Sequence, residues 1–227
     1  MGTIYLHAVA SLDGYIMILD LWDRPTNGTA EKALTRSQER RGVAKLIYSM
    51  NPSLDGFISG PDGNFDWSAP DEELHRFHNE RTRALGGFLL GRRLYETMVY
   101  WETAHEDPAV TDYTREFADI WQALPKVVFS KTLTEVVGNT RLARGGIAEE
   151  AAGLMERTGK DIAIGGAELA GSAMKLGLVD EFRLFVNPVV VGGGKPLFSE
   201  LDRTLPLRLE ETRTFGGRVV YLRYERA

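Results

Sequence analysis

The chain has 227 residues, 43% of them hydrophobic, a formal net charge of −5 and no cysteine. That size and apolar content fit one large domain, or two small ones, with a sizeable buried core. A mild acidic balance with scattered Lys and Arg argues against nucleic acid and anionic membrane surfaces as partners, and the missing cysteines exclude disulfides, thiolate catalysis and zinc–thiolate sites and fit a reducing cytoplasm.

Residues 4–16 (IYLHAVASLDGYI) echo residues 46–58 (LIYSMNPSLDGFI), with Ser-Leu-Asp-Gly identical and the flanking apolar pattern kept. The chain thus carries two versions of its first strand. Only the second runs on into Gly60-Pro61-Asp62-Gly63 and a helix, which predicts a central place for it. The first leads through the turn-rich Asp20 to Gly28 into a weakly amphipathic helix from about Ala30 to Arg41. Residues 1–42 are expected to be an N-terminal extension, either a strand added to a sheet edge or a loosely bound remnant, and residues 43–227 the main domain. Ala8-Val9-Ala10 follows no basic residue and only a short apolar run, so no secretory leader is expected there. No apolar run nears the roughly 20 residues that cross a bilayer.

After the second strand, Leu74, Phe77, His78, Arg81 and Leu85 form one helical stripe over residues 70–85, closed by Gly86-Gly87. Phe88–Gly91 is a short buried strand and Arg92 opens the next helix, to about Trp101. A helix from about Ala109 to Ala123 precedes a strand over Lys126–Ser130. Ile147–Thr158 is helical, Asp161–Gly165 a strand, and Glu168–Leu176 a helix ended by Gly177. Strands follow over Phe182–Val191, Leu205–Thr214 and Arg218–Tyr224, the last two hairpin-like around Phe215-Gly216-Gly217. This rhythm predicts an α/β fold: a mixed, mostly parallel sheet flanked by helices, with antiparallel strands at its C-terminal edge.

Three strings close apolar runs where strands should open into loops: Leu90-Gly91-Arg92-Arg93, Phe129-Ser130-Lys131 and Ile164-Gly165-Gly166. Ligands of open α/β sheets bind at the carboxyl ends of the strands. Two arginines at a helix start oppose the helix dipole unless an anion binds there, while Ser130 and Lys131 supply a hydroxyl and an ammonium. Gly165 and Gly166 let backbone N–H groups approach a pyrophosphate closely. Together these residues suit a phosphorylated dinucleotide. A solvated Arg pair, a turn serine and a βα-turn glycine pair are the plain readings of the same strings. Among His7, His75, His78 and His105 no metal-ligand arrangement is evident, and neither a nucleophile elbow nor a P-loop is present.

In this order, and with Ser53-Leu54-Asp55-Gly56-Phe57-Ile58, Gly60 to Trp67, Leu178 to Phe182 and Asn187 to Gly194, the strings resemble the dihydrofolate reductase superfamily. The resemblance is closest to its branch related to the reductase domain of bacterial riboflavin biosynthesis, and covers about Ala44 to the C-terminus. It implies NADPH as cofactor, held by Gly91, Arg92, Arg93, Ser130, Lys131, Gly165 and Gly166, with a usually cis Gly165–Gly166 peptide. It also implies a small heterocyclic substrate, pterin-like or pyrimidine-like, walled by Phe57, Trp67 and Phe77. Glu73, in the acid-Leu-x-x-Phe pattern with Phe77, is the implied proton donor, Glu72 ranks second, and Asp55 lines the cleft. A helix-start carboxylate that complements the dipole is the other reading of Glu73, and an Asp-Gly turn that of Asp55. Homodimers through the late strands are a family habit. The competing functional reading is a non-catalytic NADP-binding or nucleotide-sensing protein.

Overall fold

The computed structural model describes residues 44–227 together with two short strands near the N-terminus. Those are β1 (Val9–Ala10) and β2 (Ile16–Met17), an antiparallel pair with Val9 opposite Met17. They bracket the first Ser-Leu-Asp-Gly, and the helix expected over residues 30–41 lies outside the described residues. The chain divides into two compact units, residues 1–43 and 44–227.

The second unit is built on eight strands. These are β3 (Leu46–Met50), β5 (Phe88–Gly91), β6 (Lys126–Phe129), β7 (Thr140–Leu142), β8 (Ile162–Gly165), β9 (Glu181–Val186), β11 (Leu207–Phe215) and β12 (Val219–Arg226). Their spatial order is β11-β12-β9-β3-β8-β5-β6-β7, parallel from β9 to β7, with β11 and β12 antiparallel at one edge. The expected mixed sheet is therefore present, and the second copy of the first strand occupies its middle. Two short strands, β4 (Phe57–Ser59) and β10 (Lys195–Pro196), pair beside it.

Five helices connect the strands: α1 (Glu72–Arg83), α2 (Arg92–Met98), α3 (Asp112–Ala123), α4 (Ile147–Thr158) and α5 (Ala167–Lys175). Asp71 caps α1 by accepting the Leu74 N–H at 2.9 Å, and Gly159 closes α4 in the left-handed conformation. The α2 helix stops at Met98, short of the expected Trp101, and a 3-10 turn takes over to Glu102. Strand β9 ends at Val186 rather than Val191. Asn187 turns its amide to the carbonyls of Pro52 and Phe185, and Pro188 supplies no N–H for a ladder.

Alternation along the central strands sends one set of side chains to each face. Leu46, Tyr48, Ile162, Ile164, Phe182 and Leu184 join α4 and α5 in the larger core. On the other face Ile47, Ala163 and Leu85 form a small cluster of their own. Phe77 packs with Phe185, Phe215 and Tyr221, each such burial contributing roughly 2 kcal/mol. That second face, under α1 and α3, is where packing gives way to open space.

Candidate active site

Strands β8, β5 and β6 are adjacent and parallel, so their carboxyl ends emerge side by side. Leu90 sits opposite Gly165 in the ladder, and a Cβ on Gly166 would stand 3.6 Å from the Gly91 Cα. The tips thus converge. A cleft of about 1280 Å³ opens at this convergence and runs beneath α1. Gly91, Arg92, Arg93, Ser130, Lys131, Gly165 and Gly166 all line it.

Local structure explains the two glycines. A Cβ on Gly165 would meet the Leu94 Cδ2 at 2.3 Å, so a side chain there would displace the Leu94 side chain of α2. Gly166 lies at φ +95°, a conformation L side chains rarely adopt. No peptide bond among the described residues is cis, so the Gly165–Gly166 link is trans, and the departure from ordinary backbone falls on the φ of Gly166. Beyond it α5 begins without a side-chain cap, leaving first-turn N–H groups free towards the cleft mouth.

Around this mouth the charge is mostly positive. Arg92 is half exposed and only loosely paired with Glu96 at 3.6 Å. The Ser130 hydroxyl accepts the N–H groups of Thr132 at 3.1 Å and Leu133 at 2.9 Å, which fixes the turn and leaves its own proton to donate. Glu168, in the first turn of α5, is ion-paired with Lys195 of β10, which holds its carboxyl below the usual range.

The implied acid and substrate walls lie elsewhere. Glu73 is 55% exposed and meets Arg213 at 3.2 Å, while Glu72 pairs with Arg76; neither lines the cleft. Asp55 is held inside a loop, where it accepts the Ser53 hydroxyl at 2.6 Å and the Gly192 N–H at 2.7 Å. Partial burial opposes its ionisation, but these bonds and that from the Val191 N–H outweigh it and keep the carboxyl below its ordinary range. Phe77 belongs to the buried aromatic cluster, and Phe57 on β4 and Trp67 in a 3-10 turn stand outside the lining.

Side chains without an assigned role take those places. The face of α1 turned to the cleft carries His75 and His78. His75 contacts Asn79 through Nδ1 at 3.1 Å and packs against Tyr113, Phe117 and Trp101. His78 packs at a tilt against Phe185 with ring centroids 4.2 Å apart, its Nε2 is shut away without a partner, and burial with the nearby His75 pushes its pKa down to about 4. Arg183 of β9 and Ser49 of β3 also border the space. Two sequence signals marked these positions: polar residues interrupting the apolar stripe of α1, and an arginine between Glu181 and Phe185 on one face of β9.

Comparison with known proteins gives the same assignment over nearly the same span. Residues 44–221 match the family model described as the RibD C-terminal domain. The protein YyaP of Bacillus subtilis (strain 168) is 36% identical over 183 residues, 79% of this chain and 94% of that one. Among solved structures, a Shewanella sp. PV-4 protein named for riboflavin biosynthesis superposes with a TM-score of 0.63 at 23% identity, covering 81% of this chain and 99% of that one. A diaminohydroxyphosphoribosylaminopyrimidine deaminase/5-amino-6-(5-phosphoribosylamino)uracil reductase from Thermotoga maritima superposes at 0.58 with 15% identity, over 87% of this chain and 60% of that one. These two likenesses establish the shared fold.

Proposed function

The chain belongs to the RibD C-terminal domain family and has its dihydrofolate reductase-like fold, and from that premise we propose that it is an NADPH-dependent reductase of a small pyrimidine-like substrate. The observation that supports this reading above others is the convergence of three strand ends on one cleft, with two arginines, a hydroxyl, an ammonium and two glycines at its mouth.

The residues present fit the cofactor. Gly166, at a positive φ that a side chain would strain, keeps bare backbone at the cleft mouth, and the cationic rim answers a phosphate-bearing adenosine. Arg92, Arg93, Ser130 and Lys131 would hold that end, and Gly165, Gly166 and the first turn of α5 the remainder. NADPH, when bound, supplies the hydride; the protein supplies orientation and electrostatics. The inner chamber under α1, walled by Phe185, Trp101 and Phe117, excludes water from a flat ring laid against it. No free carboxylic acid lines the described cleft, since Glu168 is paired with Lys195 and Asp55 is tied into its loop. The proton that completes reduction of a C=N or C=O bond therefore comes from water admitted with the substrate.

The same lack of a free acid favours a second reading, a protein that binds NADP without turnover. Calorimetric titration with NADPH and NADH, on the wild type and on Arg92→Ala, tests the cofactor assignment. The wild type is expected to prefer NADPH by about tenfold or more and the variant to lose that preference, a change of about 1.4 kcal/mol or above. Equal affinity of the wild type for both cofactors would overturn it. Tight NADPH binding with no oxidation in the presence of any aminouracil would decide for the second reading.

A further inference from the structure

We propose that Arg183, with Ser49 and His78 beside it, reads the carbonyl-bearing edge of the substrate's ring, an inference that rests on the pyrimidine reading above. Arg183 shares its sheet face with Glu181 and Phe185, and its side chain is only 13% exposed. Its Nε donates to the Glu181 carboxylate at 2.6 Å. That carboxylate, itself 3% exposed, is also approached by Lys45 at 3.4 Å and Arg223 at 3.6 Å.

Those two cations have further partners. Glu225 serves both, at 2.5 Å from Lys45 and 3.5 Å from Arg223, and Glu211 lies 3.2 Å from Arg223. Arg183 has none: among the described residues no acceptor meets its two terminal amino groups, although the residue lines the cleft. One buried carboxylate is thus shared by three cations, and the one whose fork faces the open space is left half satisfied. The guanidinium is half-buried, and its two amino groups are not sealed off, so they stand ready to donate to a ligand's acceptors.

Its neighbours sharpen the chemistry. Ser49 stands opposite Arg183 in the parallel register of β3 and β9, and its hydroxyl makes no hydrogen bond among the described residues. His78 comes from α1 above, packed at a tilt against Phe185, with its Nε2 closed off and unpartnered among the described residues. A planar fork of donors and a hydroxyl that gives or accepts, with a neutral imidazole packed beside them, complement an edge that alternates C=O and N–H. A doubly charged phosphate would require more free positive charge than this part of the cleft holds: Arg81, on α1 near His78, is already paired with Glu211, and Arg92 and Arg93 stand at the strand-end mouth.

The test is calorimetric binding of diaminouracil and of its carbonyl-free counterpart triaminopyrimidine, with NADP⁺ present. The wild type is expected to prefer diaminouracil by roughly tenfold or more. Arg183→Met should bring the two ligands within about twofold, Arg183→Lys should keep part of the preference, and His78→Leu should reduce it. Glu181 retains Lys45 and Arg223 in Arg183→Met, so the melting temperature reports whether the fold survives; if it does not, His78→Leu and Ser49→Ala decide by the same ratio. Variants that keep the wild-type ratio overturn the edge-reading role and leave the pyrimidine reading intact. A wild type that binds both equally overturns the edge-reading inference alone, and one that binds neither overturns the pyrimidine reading and this inference with it.

Discussion

His78 shows how a single side chain can be read two ways. In the sequence it is one member of a helical stripe, and a histidine without a metal-ligand arrangement; folded, it is a neutral ring at the wall of the cleft. Its pKa of about 4 lies below the ordinary 6.5, so between those values the unfolded chain takes up a proton that the folded chain refuses. Stability present above pH 6.5 is therefore lost as pH falls towards 4, by about 3 kcal/mol. Urea melts of the wild type and His78→Leu across that range should show a flatter profile for the variant; parallel profiles would remove His78 as the cause. Glu73 illustrates the converse. Its spacing to Leu74 and Phe77 matched a pattern, but spacing alone does not say which side of a helix meets a cleft, and here Phe77 turns into the aromatic core while Glu73 reaches out to Arg213. Gly166 was legible because a backbone need, a positive φ, leaves a direct trace in residue type.

Among the elements, those with a strong period and a clear stop were the readable ones: α4 begins and ends where its apolar spacing and Gly159 put it. Strand β7, three residues of Thr-Arg-Leu, carries no such signature and owes its place to its partners. It is fastened to α4 by Arg141, whose guanidinium pairs with Glu150 while the Arg144 N–H donates to the same carboxylate at 2.6 Å. The Arg141 hydrogen bond, opposed by burial and helped by the Arg144 and Gly145 N–H groups, holds Glu150 down to about 2. Because this folded pKa is depressed from the ordinary 4.5, the stabilisation is present above that value and lost as pH falls towards 2. Glu150→Gln should cost about 2 kcal/mol near neutrality and much less at pH 3, measured by denaturant titration at both. An equal loss at the two would show that charge is not what ties β7 to the helix.

At the level of the whole molecule, the βαβ rhythm revealed the parallel order, and the change of texture after Asp180 the antiparallel edge. The two-residue β10 and three-residue β4 escaped because strands so short are set by tertiary pairing. All eight strands of the main sheet come from residues 46–226. A chain beginning at Ala44 is accordingly expected to unfold in one cooperative transition and to bind NADPH as the full chain does. A broadened melt or lost binding would assign the first 43 residues a structural part. The central strand also has a history. Leu46 pairs with Ile162, and the Lys45 N–H bonds to Asp161 across 116 residues of chain. At a ribosomal pace of about 5–20 residues per second, that strand leaves the exit tunnel roughly 6–20 s before its first neighbour exists. Through that interval Leu46-Ile47-Tyr48 is a sticky, unpaired segment of nascent polypeptide, so the yield of folded product should depend on chaperones that shield it.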